Sequence, residues 1–363
     1  MSTIHQIGLS LIKNVGHITA KNLLLTFGTA EAVFQASVAD LLAIPGIGVG
    51  IVREIKSGKA LKEAENDLIE IQKRRINPLF YTDADFPSRL RECHDAPIIM
   101  YYKGQANLNR QRVVSIVGTR KASAYGRLLC RQLLETLRQY DVLVVSGLAF
   151  GIDVAAHQEC LNQNVPTVGI LGHGLDRMYP RLHESIAGKM LDQGGLLTEF
   201  PLFTNPDKEN FPKRNRIIAG MADVTIVVEA AIKGGALITA ELAGSYNRDV
   251  FAFPGRSTDV YSQGCNFLIK TNRAGLINHP EDLIQMMSWE QKELKVKQLE
   301  LPVLQTLTEE ERKIVDFLHR APARIDQIAQ HVQVKQSTLT MHLLSLEMQG
   351  LIVLSPGQLY KEG

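Results

Sequence analysis

The chain has 363 residues, 45% of them hydrophobic and 21% charged, with a formal net charge of +2, so it predicts two or three globular domains and excludes a bulk electrostatic field. A nucleic-acid partner would therefore need local basic clusters. Four scattered cysteines (Cys93, Cys130, Cys160, Cys265) form no C-x-x-C pair and argue for reduced thiols and against a zinc site.

No apolar run follows the N-terminus, and none approaches the roughly 20 residues that a membrane span needs. No signal peptide or membrane segment is expected, and the cytosol is the default compartment. Residues 1–75 read as a small all-α domain. Two hairpins stand in it, Asn14-Val15-Gly16 before a helical pattern and Ile44-Pro45-Gly46-Ile47-Gly48 before another. The second resembles the helix-hairpin-helix motif, whose glycines let backbone N–H groups approach a DNA phosphate. Gly46 and Gly48 are therefore secondary DNA-binding candidates, the alternative being a structural turn in a helical bundle. A charged helix over 59–75 leads on, and Pro78 to Pro97 reads as an irregular connector, with Tyr101 and Tyr102 as packing residues.

Residues 76–287 predict a doubly wound α/β domain with its core at 110–275. Short β-branched runs near 112–117, 142–146, 166–171, 196–199, 223–228 and 250–253 read as buried strands. Helices fill the gaps at crossover length. Five of the runs deliver a turn to one sheet edge, the edge at which open α/β sheets bind ligands. The turns are Gly118-Thr119-Arg120, Gly147 to Gly151, Gly172-His173-Gly174, Gly234-Gly235 and Pro254-Gly255. After the first strand, the helix N-terminus is expected to offer free N–H groups to a phosphate, with Arg120 to grip it as a planar fork. Asn205 to Lys213 reads as a polar loop. Arg120 and Lys121, Arg177 and Arg181, and Lys213 and Arg214 place cations on three loops of that edge; for the cations of the Lys213–Arg216 segment the alternative is fixing the loop through buried carbonyl bonds, Arg216 being the first choice for that structural role. Phe150, Tyr179 and Phe211 can offer faces for stacking unpaired bases, a combination that suits single strands. Core or turn-bracing roles are the alternative for Tyr179 and Phe211.

Residues 288–305 lose the β/α rhythm and read as a linker, and 306–363 as a winged helix: helix, helix, recognition-like helix and hairpin. Thr308 to Glu311 form a capping box. Six cations against seven acids in this domain favour protein contact over phosphate-driven DNA binding.

No catalytic set stands out. Asp153 and His157 lie four apart on a helix and could pair, but an orienting hydrogen bond is the simpler role. Glu229 and Glu241 around Gly234-Gly235 distantly resemble the PGGxGTxxxE signature of nucleotide phosphoribohydrolases, without its proline or Gly-Thr pair. There is no Walker A motif and no G-x-G-x-x-G. The expectation is a binding protein, with no cofactor and no metal; a nucleotide phosphoribohydrolase-like enzyme on the same sheet edge is the runner-up.

The segments GTRKASAYG, SGLAFGIDVAAH, LGHGLDRMYPR, LLTEFP, FPKRNRIIAG, GGALITAELA and VFAFPG follow one another across roughly 110–275. Together they resemble the DNA-processing protein A family (DprA, also called Smf). The resemblance implies a Rossmann-like sheet with an N-terminal SAM-like domain and a C-terminal winged helix. It implies single-stranded DNA on the sheet edge, held mainly by Arg120 and by Arg181 just after Tyr-Pro. With the reading of the loops, the candidate DNA site is Gly118, Thr119, Arg120, Lys121, Ser123, Gly147, Phe150, Arg181, Lys213, Arg214 and Asn215. Phe150 stands where the family often has a basic residue, and Cys265-Asn266 where Thr-Asn is common. The resemblance further implies a homodimer that protects incoming DNA in natural transformation. It also implies loading of the RecA recombinase and help in displacing single-strand-binding protein.

Overall fold

The computed structural model describes residues 3–289, 307–355 and 359–362. The chain divides into two compact units, residues 1–292 and 293–363. Beyond Trp289, the expected linker lies outside the described residues.

The first unit opens with six helices: α1 (Thr3–Leu11), α2 (His17–Phe27), α3 (Ala30–Gln35), α4 (Val38–Leu42), α5 (Val49–Lys56) and α6 (Lys59–Lys73). Thr29 and Ser37 cap α3 and α4, each accepting the amide three residues on at 3.1 Å. The chain then enters the sheet through β1 (Asn77–Phe80), α7 (Ser88–Arg91) and β2 (Ile99–Gly104). The parallel part follows as β3 (Arg112–Val117), α8 (Ala124–Leu137), β4 (Val142–Ser146), α9 (Ile152–Asn162) and β5 (Thr167–Ile170). A 3-10 turn at Arg181–His183 leads to α10 (Glu184–Gln193), β6 (Gly195–Thr198), α11 (Asn210–Met221) and β7 (Val224–Val227). The unit closes with α12 (Gly235–Ser245), β8 (Asp249–Ala252), α13 (Gln263–Lys270), β9 (Gly275–Leu276) and α14 (Pro280–Met286).

Among the described residues the sheet has nine strands in the order β1-β2-β6-β5-β4-β3-β7-β8-β9. From β6 to β9 all neighbours are parallel, and β1 and β2 are antiparallel. The winding reverses between β3 and β7, the switch point of a doubly wound sheet. The central strands carry Val113, Val114, Ile116, Val144, Val145 and Ile226, all fully buried, as a sheet covered on both faces requires. One face packs α7, α11, α12 and α13 and the other packs α8, α9 and α14.

Three features depart from the sequence reading. The connector holds strands β1 and β2, which extend the sheet beyond β6, and Tyr101 sits on β2 almost fully buried. The N-terminal helices share one apolar core with these strands, with Leu23, Leu41 and Ile71 packed in the cluster that holds Phe80, Ile99 and Tyr101. Third, α11 begins at Asn210, so FPKRNR is helical. Pro212 is tolerated because first-turn N–H groups have no helical partner to lose.

The second unit holds α15 (Glu309–Leu318), β10 (Ala323–Arg324), α16 (Ile325–Val332), α17 (Gln336–Met348), β11 (Ile352–Ser355) and β12 (Leu359–Glu362). Its strands pair in the order β10-β12-β11. Thr308 and Glu311 form the expected capping box at α15. Ile314, Ile328, Leu339 and Leu346 make its core, and the recognition-like α17 leaves Met341 and Met348 mostly exposed.

Candidate nucleic-acid interface

A cleft of about 250 Å³ opens beyond the carboxyl ends of β3 and β7, at the switch point. Val117 at the end of β3 and Gly118, Thr119 and Arg120 after it line the cleft, with Ala230 and Ala231 after β7. Phe211, Arg214 and Asn215 come from α11, and Gly234, Gly235 and Ala236 from the start of α12. Gly234 caps α12 without a side chain, so the positive end of an 11-residue helix borders the same space as Arg120. Backbone N–H groups and an arginine fork around one cavity are the elements of a phosphate site.

Phe211 organises the aromatic part. Arg120 and Arg214 carry their guanidinium carbons 5.8 and 6.0 Å from its ring centroid, and the half-exposed Tyr179 lies 5.8 Å away, ring to ring. The Tyr179–Pro180 peptide is cis. His173 fixes this turn: its Nδ1 lies 2.9 Å from the Gly174 carbonyl, and its Nε2 accepts the Tyr179 amide at 3.2 Å. Phe150 is 43% exposed and sits edge-on to His183, 4.9 Å between centroids. His183 is itself held 2.9 Å from the Leu148 carbonyl.

The cations divide into two groups. Arg177 bonds Asp176 at 2.9 Å and also reaches Asn205. Arg216 is spent on Glu199 and the Asp95 carbonyl, which bears out its structural reading. Arg120, Lys121, Arg181 and Lys213 are exposed and enter no ion pair among the described residues. Lys213 borders a different cleft with His17 and Arg216, so the structure does not bring it to the cavity of Arg120. Asn215 does reach that cavity.

Three expectations need correction. Arg214 is not a loop cation but a buried helical one, donating to the Ile170 carbonyl at 2.9 Å; burial lowers its pKa to about 10 against the attraction of Asp153. It touches the cavity from within, as part of its wall. Gly147 is buried too, and its missing side chain leaves room for Arg214. Finally, the N-terminus of α8 is not free for a phosphate. Ser123 caps Gly126 at 3.0 Å, and the Glu229 carboxylate accepts both the Ser123 amide, at 2.9 Å, and the Ser123 hydroxyl. The Thr119 amide goes to the Glu229 carbonyl at 2.7 Å, and the Lys121 amide to Thr119 Oγ1 at 3.2 Å. The fold consumes these donors, so Gly118, Thr119 and Ser123 shape the turn that presents Arg120.

The residues weighed for chemistry are committed elsewhere. His157 is fully buried, with Nδ1 2.7 Å from Thr167 Oγ1, and burial pushes its pKa down to about 3. Burial raises the Asp153 carboxyl. Glu241 pairs with Arg273 at 2.7 Å on the surface, and Glu229 serves Ser123. In the helical segment, Gly46 takes φ 85° and Gly48 caps α5 with no side chain, so the second hairpin is open. The first is tied down: His17 lies 3.3 Å from Glu199. Gly234 and Gly235, read from the sequence as one of the edge turns but absent from the candidate list, line this cavity together with Thr239. Among the described residues no cluster could hold a metal ion, and no helix is long and apolar enough to cross a membrane.

Comparison with known proteins agrees with this architecture. The model of the DNA recombination-mediator protein A family matches residues 77–288, and the DprA winged helix domain matches 300–358. Protein Smf of Synechocystis is 32% identical over 97% of this chain and 96% of its own. The X-ray structure of DNA processing protein A from Streptococcus pneumoniae superposes with a TM-score of 0.65 at 30% identity, covering 78% of this chain and 98% of that one. A DNA processing protein A from Helicobacter pylori, whose structure addresses its single-stranded DNA binding mode, gives 0.54 at 26% identity over 59% of this chain and 96% of that one. With a sheet wound about the β3–β7 switch point, a winged helix later in the sequence and matches over most of its length, the chain belongs to the DNA recombination-mediator protein A family.

Proposed function

We propose that this protein binds single-stranded DNA along the switch-point edge and acts as a recombination mediator. In this reading it protects incoming DNA in natural transformation and loads the RecA recombinase, working as a homodimer alongside single-strand-binding protein. The observation that carries the reading is the shared cavity of Arg120, Phe211 and the α12 N-terminus. It offers a phosphate an unpaired arginine and helix-end amides, and offers a base an aromatic platform. The single-stranded DNA binding named for the Helicobacter pylori relative supports it. Arg120, Lys121 and Arg181, exposed on the turns of this edge, suit a polyanion, although net charge is only +2.

The test is a salt titration of binding to single- and double-stranded oligonucleotides. The reading expects a steep fall of affinity with salt and a preference for the single strand. Equal binding to both, or none, overturns it. A parallel incubation with AMP that released adenine would favour the phosphoribohydrolase reading.

A further inference from the structure

A second cleft, of about 860 Å³, adjoins the first. Ser123, Ala124 and Tyr125, which carry the Arg120 turn into α8, form one wall, and the loop from Gly255 to Ser262 forms the other. The strand end after β7 separates the two spaces: Glu229 lines the second, while Ala230 and Ala231 line the first. The turn between β3 and α8 is thus a lip of both.

The loop wall is built rather than loose. The Asn266 side chain donates to the Gly255 carbonyl at 2.9 Å and accepts its amide at 3.2 Å. The Ala230 amide bonds the Tyr261 carbonyl at 2.6 Å, and the Gly264 amide returns to the Ala230 carbonyl at 2.8 Å. Two apolar faces are presented to the space: Tyr125, 50% exposed, and Val260, 59% exposed. Arg256 is exposed and enters no ion pair among the described residues. Glu229 and Asp259 add carboxylates, which repel a phosphate but accept hydrogen bonds from base amino groups. The Glu229 oxygens each take one bond from Ser123, which leaves each with acceptor capacity. The volume lies within the range of small-ligand sites.

We propose that this cleft is a nucleobase subsite, in which a base adjoining the nucleotide held at Arg120 stacks on Tyr125 while Arg256 meets its phosphate. The proposal rests on the reading of the edge as a single-strand site, and it lengthens the track across the β7 ridge towards β8. Acidic walls and a basic outer residue select a base inside and backbone outside.

The test uses the full chain and fluorescence anisotropy with a labelled single-stranded oligonucleotide. Tyr125→Ala should weaken binding about tenfold, the loss of one stacked base, and Tyr125→Phe should retain it. A single abasic nucleotide, walked along the strand, should weaken the wild type at one position more than the Tyr125→Ala protein. Arg256→Ala should reduce the salt slope by about one. If Tyr125→Ala and Arg256→Ala bind like the wild type while Arg120→Ala is weakened, the subsite is wrong and the parent reading stands. If the wild type binds no single strand, both fall. AMP binding that Tyr125→Ala abolishes, with oligonucleotide affinity untouched, would overturn the subsite in favour of a small-ligand pocket.

Discussion

Arg214 and Asp153 meet across Gly147: a β-carbon added there would fall on the Arg214 guanidinium and lie 2.6 Å from Asp153 Oδ2. Both side chains are buried. The two attract across Gly147 without closing an ion pair, and Arg214 also donates to the Ile170 carbonyl, so removing Arg214 leaves a buried carboxyl and a buried carbonyl without this cation. Arg214→Ala should therefore cost about 3–5 kcal/mol of stability, seen as a lower urea midpoint without any DNA present. An unchanged midpoint would return Arg214 to the role of a simple ligand cation.

Arg120 makes the opposite prediction. It is exposed and unpaired, so Arg120→Ala should leave thermal stability within about 0.5 kcal/mol. Binding to a single strand should weaken at every sequence, and the salt slope should drop by about one counterion. Arg181→Ala should add to the loss. Unchanged affinity of the double variant at physiological salt would remove the site from this edge.

His157 sets an acid limit. Its folded pKa, pushed down to about 3 by burial and by the positive charge of Arg214, lies below the ordinary 6.5. The unfolded chain takes up the proton first, so the stabilisation is complete above about pH 6.5 and is lost progressively towards pH 3. His157→Gln should flatten the fall of melting temperature across that window. Parallel profiles would show that other groups set the acid limit.

Phe150 is predicted to discriminate strands. Its ring is 43% exposed and steadied edge-on by His183, so it can stack on an unpaired base but not on one inside a duplex. Phe150→Ala should weaken single-strand binding more than duplex binding, by up to about 1–3 kcal/mol for a fully engaged base. Equal losses would leave the preference to backbone geometry.

Truncation should act unequally at the two ends. Ending the chain near residue 289 should keep single-strand affinity within about tenfold, or 1.4 kcal/mol, because every residue assigned to the edge comes before that point. Starting it near residue 105 removes β1 and β2, leaves β6 with only its parallel neighbour β5 and deletes the buried Met100, Tyr101 and Tyr102. That fragment should unfold at a markedly lower temperature. A fragment as stable as the whole would show that the helices and edge strands add little to the sheet.

The parallel strands were legible because a run such as Arg112–Val117 is β-branched, short and closed by glycine, and only a buried strand explains all three. The strands β1 and β2 were not. Pro78 and the charged residues around Asp83 and Arg89 suggest a loop, and the antiparallel pairing with β6 is a long-range contact without local signature. Within the site, Arg120 could be read from its turn. The burial of Arg214 could not, since Lys213, Arg214 and Arg216 look alike in sequence, and helix phase decides which one turns inward. Glu229 was similarly hidden: its carboxylate finds Ser123 across 106 residues.

The crowding at the glycines has a consequence for mutational screens. At Gly118 an added β-carbon would lie 2.7 Å from Ile152 Cβ, at Gly126 it would meet the Glu229 carboxylate, and at Gly147 the Arg214 guanidinium. Alanine at any of the three displaces a group that shapes the Arg120 turn or its wall. Such variants would lose activity and be scored as ligand contacts, yet their defect would survive the absence of ligand. Small-residue positions around this edge report on assembly of the scaffold, and a screen that reads only activity would confuse the two. Abundance measured beside activity separates them, since a true contact loses activity at constant abundance.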